Sequence, residues 1–154
     1  KMIWIPQSDS KVYIEKFYET YPKVKVFFDD IISNCEKNWY VQTMFWRKRY
    51  IAWINDKNSL IQKASQREAI NMPIQWTSAD IMKIAMNQIQ QFLEENNLKS
   101  QMIMQVHDEI VFNVKKVEFD LLKSKITDIM ENVINWSVKL KVWVWFWQNW
   151  WDAK

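Results

Sequence analysis

The spacing of apolar residues changes period along the chain, and each change marks an element. Val12, Tyr13, Phe17 and Tyr21 recur at helical intervals, which predicts a helix over 11–20 with Ser8 or Ser10 placed to cap it. Pro22, whose fixed φ suits a first helical turn, opens a second helix with Val24, Phe27, Phe28, Ile31 and Ile32 on its apolar face, ending near Asn38. Period two takes over at 40–45, a short strand, and Arg47, Lys48, Arg49 and Tyr50 follow as a basic, aromatic-flanked patch. A helical pattern returns over 59–71, is interrupted by Pro73, and resumes over 77–96 with Ile81, Ile84, Ala85, Ile89, Phe92 and Leu93 inward. At 102–114, MIMQVHDEIVFNV, the residues Met102, Met104 and Val106 alternate with Ile103 and Gln105 before Ile110, Val111, Phe112 and Val114 resume. That is the pattern of two strands joined by a tight turn at His107, Asp108 and Glu109. An amphipathic helix over 117–134 and a third strand over 138–146 complete the chain. Long helices with a few antiparallel strands make the fold class α+β.

Composition changes this picture at one point. The 154 residues, 49% hydrophobic and 25% charged, have the balance of a globular domain or a piece of a larger one, not of a disordered segment. A net charge of +3 permits an acidic partner such as nucleic acid without requiring one. Cys35 is the only cysteine, so no internal disulfide exists and a reducing, cytoplasmic setting is the expectation. No apolar run approaches the roughly 20 residues of a membrane span, and the opening KMIWIPQSDS lacks a signal-peptide layout. Glycine, however, is absent, where average usage of about 7% would give roughly 11, and tryptophan numbers 11. Asn38-Trp39 and Asn135-Trp136 stand where Asn-Gly would supply positive φ ahead of a strand, and Trp46 interrupts a strand-like pair. Tryptophan therefore stands where glycine is expected. By the same argument the alternation of Trp143, Trp145 and Trp147 with Val144 and Phe146 is not a membrane-interface belt.

The candidate chemistry lies at the predicted turn, where the only histidine adjoins two consecutive carboxylates. Neither His-Asp nor Asp-Glu is a favoured pair for a two-residue hairpin turn, so turn propensity does not explain these residues. Adjacent acids repel, and a divalent cation relieves the repulsion; Mg²⁺ takes hard oxygen ligands, one or two carboxylates plus substrate phosphates. A solvated acidic turn with a surface histidine is the alternative. Arg67, Asn71 and Gln75 recur every four residues, so in a nearly continuous helical path their donors line one edge. Such an edge suits a minor groove, where every base pair offers purine N3 and pyrimidine O2 acceptors; an ordinary polar helix face is the alternative. Arg47 and Arg49 are candidate phosphate contacts, or part of a solvated loop.

Taken together, YVQTMFWRKRY at 40–50, SQREAINMPIQWTSADIMKIAM at 65–86, MIMQVHDEIVFNV and the closing NWWDAK resemble the C-terminal part of family A DNA polymerases, the bacterial DNA polymerase I type. The segments follow family order and spacing, and the RxxxNxPIQ and QVHDE patterns are far more distinctive than any triplet. The resemblance implies a right-hand polymerase, with 1–58 the C-terminal part of the fingers and 59–154 most of the palm, an antiparallel sheet packed with long helices. It implies template-directed addition of deoxynucleotides to a primer 3′ end by two-metal phosphoryl transfer. Asp108 then matches the metal-binding aspartate of motif C, Glu109 the neighbouring acid, and His107 the histidine near the primer terminus. Arg67, Asn71 and Gln75 match residues that touch template and primer in the minor groove. The implied cofactor is Mg²⁺ in a site completed by an upstream aspartate. The implied partners are primer-template DNA, deoxynucleoside triphosphates and the upstream remainder of the polymerase, with no membrane. Motifs A and B would lie upstream of Lys1, so the chain alone is expected to be inactive. The family carries glycine at 39, 46, 76 and most other tryptophan positions, with Trp150 alone matching a family tryptophan. A noncatalytic α+β nucleic-acid-binding module with an incidental acidic tip is the competing reading.

Overall fold

A computed structural model describes residues 6–152, and the chain divides into two compact units, Lys1–Thr77 and Ser78–Lys154. The capping role expected of the Ser8 side chain, the Trp150 side chain and the last two residues of NWWDAK lie outside the described residues.

In the first unit, α1 (Gln7–Thr20) starts after Pro6 with no side-chain cap. Ser10 is inside the first turn, its hydroxyl donating to the Pro6 carbonyl at 3.1 Å. α2 (Pro22–Asn38) begins at the predicted proline. Val12, Tyr13, Phe17 and Tyr21 stay about half exposed, because a single neighbouring helix covers only part of an apolar stripe. α2 ends at Trp39, whose φ is 65° and whose N–H donates to the Cys35 carbonyl at 2.7 Å, the left-handed cap that usually falls to glycine.

β1 (Tyr40–Gln42) and β2 (Lys48–Tyr50) pair antiparallel, Val41 opposite Arg49. Lys48, Arg49 and Tyr50 of the basic patch are thus a strand and not the alternative solvated loop, and the strand expected to reach Phe45 stops at Gln42. Thr43 causes both differences. Its N–H donates to the Arg47 carbonyl at 2.9 Å, its carbonyl accepts the Trp46 N–H at 3.1 Å, and its hydroxyl accepts the N–H groups of Phe45 and Arg47. Those bonds reverse the chain before the alternation can continue. Cys35, Val41, Ile51, Ile54, Ala69 and Met72 form the buried core of this unit, with Ile31 and Trp76 against it.

α3 (Ser59–Glu95) is one helix, not the two expected on either side of Pro73. The Asn58 side chain caps it, its oxygen accepting the Leu60 N–H at 3.0 Å. Pro73 forfeits one helical hydrogen bond and costs about 3 kcal/mol in a helix interior. Yet Ser65, Ala69 and Met72 before it and Thr77 after it are buried. Burying a side chain such as Met72 stabilises by about 1.5–3 kcal/mol, so the stripe offsets the proline. The helix ends in a Schellman motif: Leu98 N–H donates to the Leu93 carbonyl and Asn97 N–H to the Glu94 carbonyl, both at 3.0 Å, with Asn97 at φ 52°.

In the second unit β3 (Gln101–Val106) pairs antiparallel with β4 (Glu109–Asn113), followed by a 3₁₀ turn at Lys116–Glu118 and α4 (Phe119–Glu131). Ile89, Leu93, Leu122 and Ile126 are its buried core, joined by Ile110, Phe112 and Val114 from the hairpin. The helix expected over 117–134 is therefore shorter. The third strand expected over 138–146 is absent: no hydrogen-bonded ladder forms there among the described residues. The segment is fixed instead by Val142 N–H donating to Glu131 and by an edge contact between Phe119 and Phe146 at 4.9 Å. Alternation alone does not make a strand when no edge pairs with it.

Glu118 ties this unit together. Its carboxylate accepts the N–H groups of Lys99 and Ser100, both at 2.9 Å, and the Ser100 hydroxyl at 2.6 Å, while that hydroxyl accepts the Lys115 N–H at 2.9 Å. The Lys99 N–H, followed by the Ser100 hydroxyl, holds the carboxyl below its ordinary range. A depressed folded pKa contributes stability above the unfolded pKa and loses it as pH falls through the folded one. In Glu118→Gln, whose NH₂ would face the backbone donors, amide-exchange protection at Lys99, Ser100 and Lys115 is expected to drop at neutral pH. The gap to the unmodified protein should close on acidification. Equal protection at neutral pH would show that the anchor contributes nothing.

Candidate active-site hairpin and nucleic-acid-binding edge

The β3–β4 register runs Gln101 with Asn113, Met102 with Phe112, Met104 with Val111, Gln105 with Ile110 and Val106 with Glu109, leaving Ile103 as an unpaired bulge. Opposed residues share a face, so Met102 joins Phe112 and Ile110 on the core side while Met104 and Val106 join Val111 and Glu109 on the other. The bulge thus separates Met102 from Met104 and Val106, although the three alternate in the sequence. The loop itself is two residues, His107 and Asp108; Glu109, expected on the turn, is the first residue of β4.

His107 has φ 52°. Histidine tolerates this left-handed conformation better than most residues, though strained positions cost about 1–3 kcal/mol and cluster at functional sites. The Gln105 side-chain amide donates to the His107 carbonyl, bracing the loop across its tip. The sequence reading missed this role; its only trace was an amide two residues before the loop.

His107, Asp108 and Glu109 are all exposed, and their side chains make no hydrogen bond or ion pair among the described residues. Two hard oxygen donors facing solvent fit the ligand chemistry of Mg²⁺, which completes its shell with water and phosphate. Among the described residues no three His, Cys, Asp or Glu side chains converge into a metal-binding group.

In the first unit Arg67, Asn71 and Gln75 are exposed on α3, opposite the buried stripe, and none of their side chains has a hydrogen-bond partner among the described residues. The unbroken helix sets them about 6 Å apart along its axis, with a drift of only about 40° per step. The other two candidate arginines are engaged by the fold. Arg47 is half-buried, donates to the Trp76 carbonyl at 3.0 Å and lies 4.3 Å over the Trp76 ring. Arg49 pairs with Glu68 and lies 5.2 Å over the same ring. Lys48, by contrast, stands over Tyr40 at 4.3 Å. Among the described residues no helix is long and apolar enough to cross a membrane.

Residues 1–152 match the sequence profile of DNA polymerase family A. The chain is 41% identical over 152 residues to DNA polymerase I of Caldicellulosiruptor bescii, covering 99% of this chain and 18% of that protein. It is 38% identical over 150 residues to DNA polymerase I of Lactococcus lactis subsp. lactis and 33% identical over 150 residues to that of Bacillus subtilis, covering 97% of this chain and 17% of each relative. The chain thus spans less than a fifth of these relatives' length. Among solved structures it is similar to the POL domain of Pol1 from M. smegmatis in complex with DNA primer-template and dNTP. The TM-score is 0.85 at 31% identity, covering 89% of this chain and 24% of that one.

Proposed function

The chain belongs to DNA polymerase family A, and from that premise we propose that it is the C-terminal portion of a DNA-directed DNA polymerase that adds deoxynucleotides to a primer 3′ end. The observation that carries this reading is the pair of exposed, unpartnered carboxylates, Asp108 and Glu109, on a hairpin whose strained loop Gln105 braces.

Asp108 would hold Mg²⁺, with Glu109 as the neighbouring acid. When bound, the metal supplies charge neutralisation for phosphoryl transfer. The rest of the metal cage comes from the upstream remainder of the polymerase. His107, at the loop's first position, stands beside the primer terminus. Arg67, Asn71 and Gln75 hold the primer-template by acceptors that every base pair offers, which gives grip and register without sequence preference. Arg47 and Arg49 add positive charge for the phosphates. The Arg49–Glu68 pair is half open to solvent, and pairs of this kind are worth only about 0–1 kcal/mol, so a phosphate can displace the glutamate. In this reading 1–58 is the end of the fingers and 59–154 most of the palm.

The test is primer extension with Mg²⁺ and the four deoxynucleoside triphosphates. The full-length protein containing this chain should copy the template, and the 154-residue chain alone should not. If the full-length protein binds primer-template but never extends it, the polymerase reading fails and the noncatalytic nucleic-acid-binding module takes its place.

A further inference from the structure

We propose that Trp39 and Trp46 are glycines in the protein its own organism makes, decoded there from a codon that this sequence renders as tryptophan. The backbone carries the argument. Among the described residues positive φ occurs at Trp39 (65°), Trp46 (65°), Asn97 (52°) and His107 (52°). Asparagine and histidine are among the residues that tolerate this region, whereas a bulky aromatic there is a genuine outlier. Both tryptophans also occupy positions that glycine fills for a stated reason. Trp39 is the left-handed residue closing α2, with its N–H on the Cys35 carbonyl. Trp46 follows a turn closed by its own N–H on the Thr43 carbonyl, where a left-handed residue lets the chain re-enter β2.

Packing compensates little at 46, where the tryptophan is 75% exposed, while Trp39 is half-buried at 47% exposure. The chain has no glycine at all beside 11 tryptophans, an exchange that two independent substitutions would not produce. One codon assignment accounts for both anomalies together, and it extends to Trp53, Trp76, Trp136, Trp143, Trp145 and Trp147. Glycine at 76 has a consequence for DNA: the ring now lying over Arg47 and Arg49 disappears, and the α3 surface next to Gln75 opens. The inference does not depend on the polymerase reading, since it rests on backbone angles and residue counts.

Tandem mass spectrometry of the full-length protein from its own organism tests it directly. Peptides spanning 39 and 46 are expected to carry glycine at both positions, with one shared codon at these sites that differs from the codon at Trp150. Tryptophan in either peptide, or ordinary tryptophan codons throughout, overturns the proposal. A second measurement uses full-length protein made in both forms. Replacing a residue by glycine normally lowers stability by loosening the unfolded chain. Trp46→Gly is nevertheless expected to raise the thermal midpoint, whereas Trp143→Gly, at a similarly exposed site without positive φ, is not. No rise at 46, or an equal rise at 143, also overturns it.

Discussion

Asp108→Ala in the full-length polymerase is expected to abolish nucleotide addition while leaving primer-template affinity nearly unchanged. The carboxylate sits on an exposed two-residue loop and supports nothing in the fold among the described residues, so its loss should cost within about 0.5 kcal/mol of stability. Metal-borne charge stabilisation in the transition state is worth several kcal/mol, and each 1.4 kcal/mol or so is tenfold in rate, so the loss should be about a thousandfold or more. Glu109→Ala should be milder, about 10- to 100-fold, as expected of the acid that neighbours the principal metal ligand. Extension assays with Mg²⁺ beside gel-shift titrations separate the two effects. Near-normal extension by Asp108→Ala would sink the assignment. An equal fall in binding and extension would move Asp108 from chemistry to grip.

The second large effect should come from α3. Arg67→Ala removes a charged donor with no competing partner among the described residues, and hydrogen bonds to charged groups contribute about 1.5–3 kcal/mol. Primer-template affinity should therefore fall about 10- to 100-fold, and Gln75→Ala, a neutral donor worth about 0.5–1.5 kcal/mol, should cost up to about tenfold. Both losses should be uniform across primer-terminal base pairs, because the acceptors concerned are common to all of them. A loss confined to one base pair would contradict that argument. Arg49→Ala is the informative contrast: its guanidinium already pairs with Glu68, so its removal breaks a contact of the fold as well as removing charge.

How legible each feature was depends on the range of the interaction that fixes it. Pro22 starting α2, the apolar stripe of α3 from Ile81 to Leu93, and the paired strands around His107 and Asp108 were all determined by the sequence, because helix periodicity and strand alternation are properties of neighbouring residues. The left-handed position at 39 was legible for the same reason, since the cap that demands it is local, whereas Trp136, expected at positive φ by the same rule, does not adopt it. Tertiary structure decided the rest. Pro73 is a helix breaker by local rules, and only the burial of Ala69, Met72 and Thr77 keeps α3 whole and so aligns Arg67, Asn71 and Gln75 on one edge. Arg49 reads as a free cation until β2 pairs with β1 and brings it to Glu68. The 138–146 segment alternates like a strand and is none, since a strand exists only where another edge accepts its hydrogen bonds. The Ile103 bulge, which sends Met104, Val106 and Glu109 to the face opposite Met102, leaves no mark on alternation; it is set by the partner strand's register. Local chemistry thus named the groups at the hairpin tip and the helix edge, while long-range pairing and burial decided which of them are free to meet a ligand.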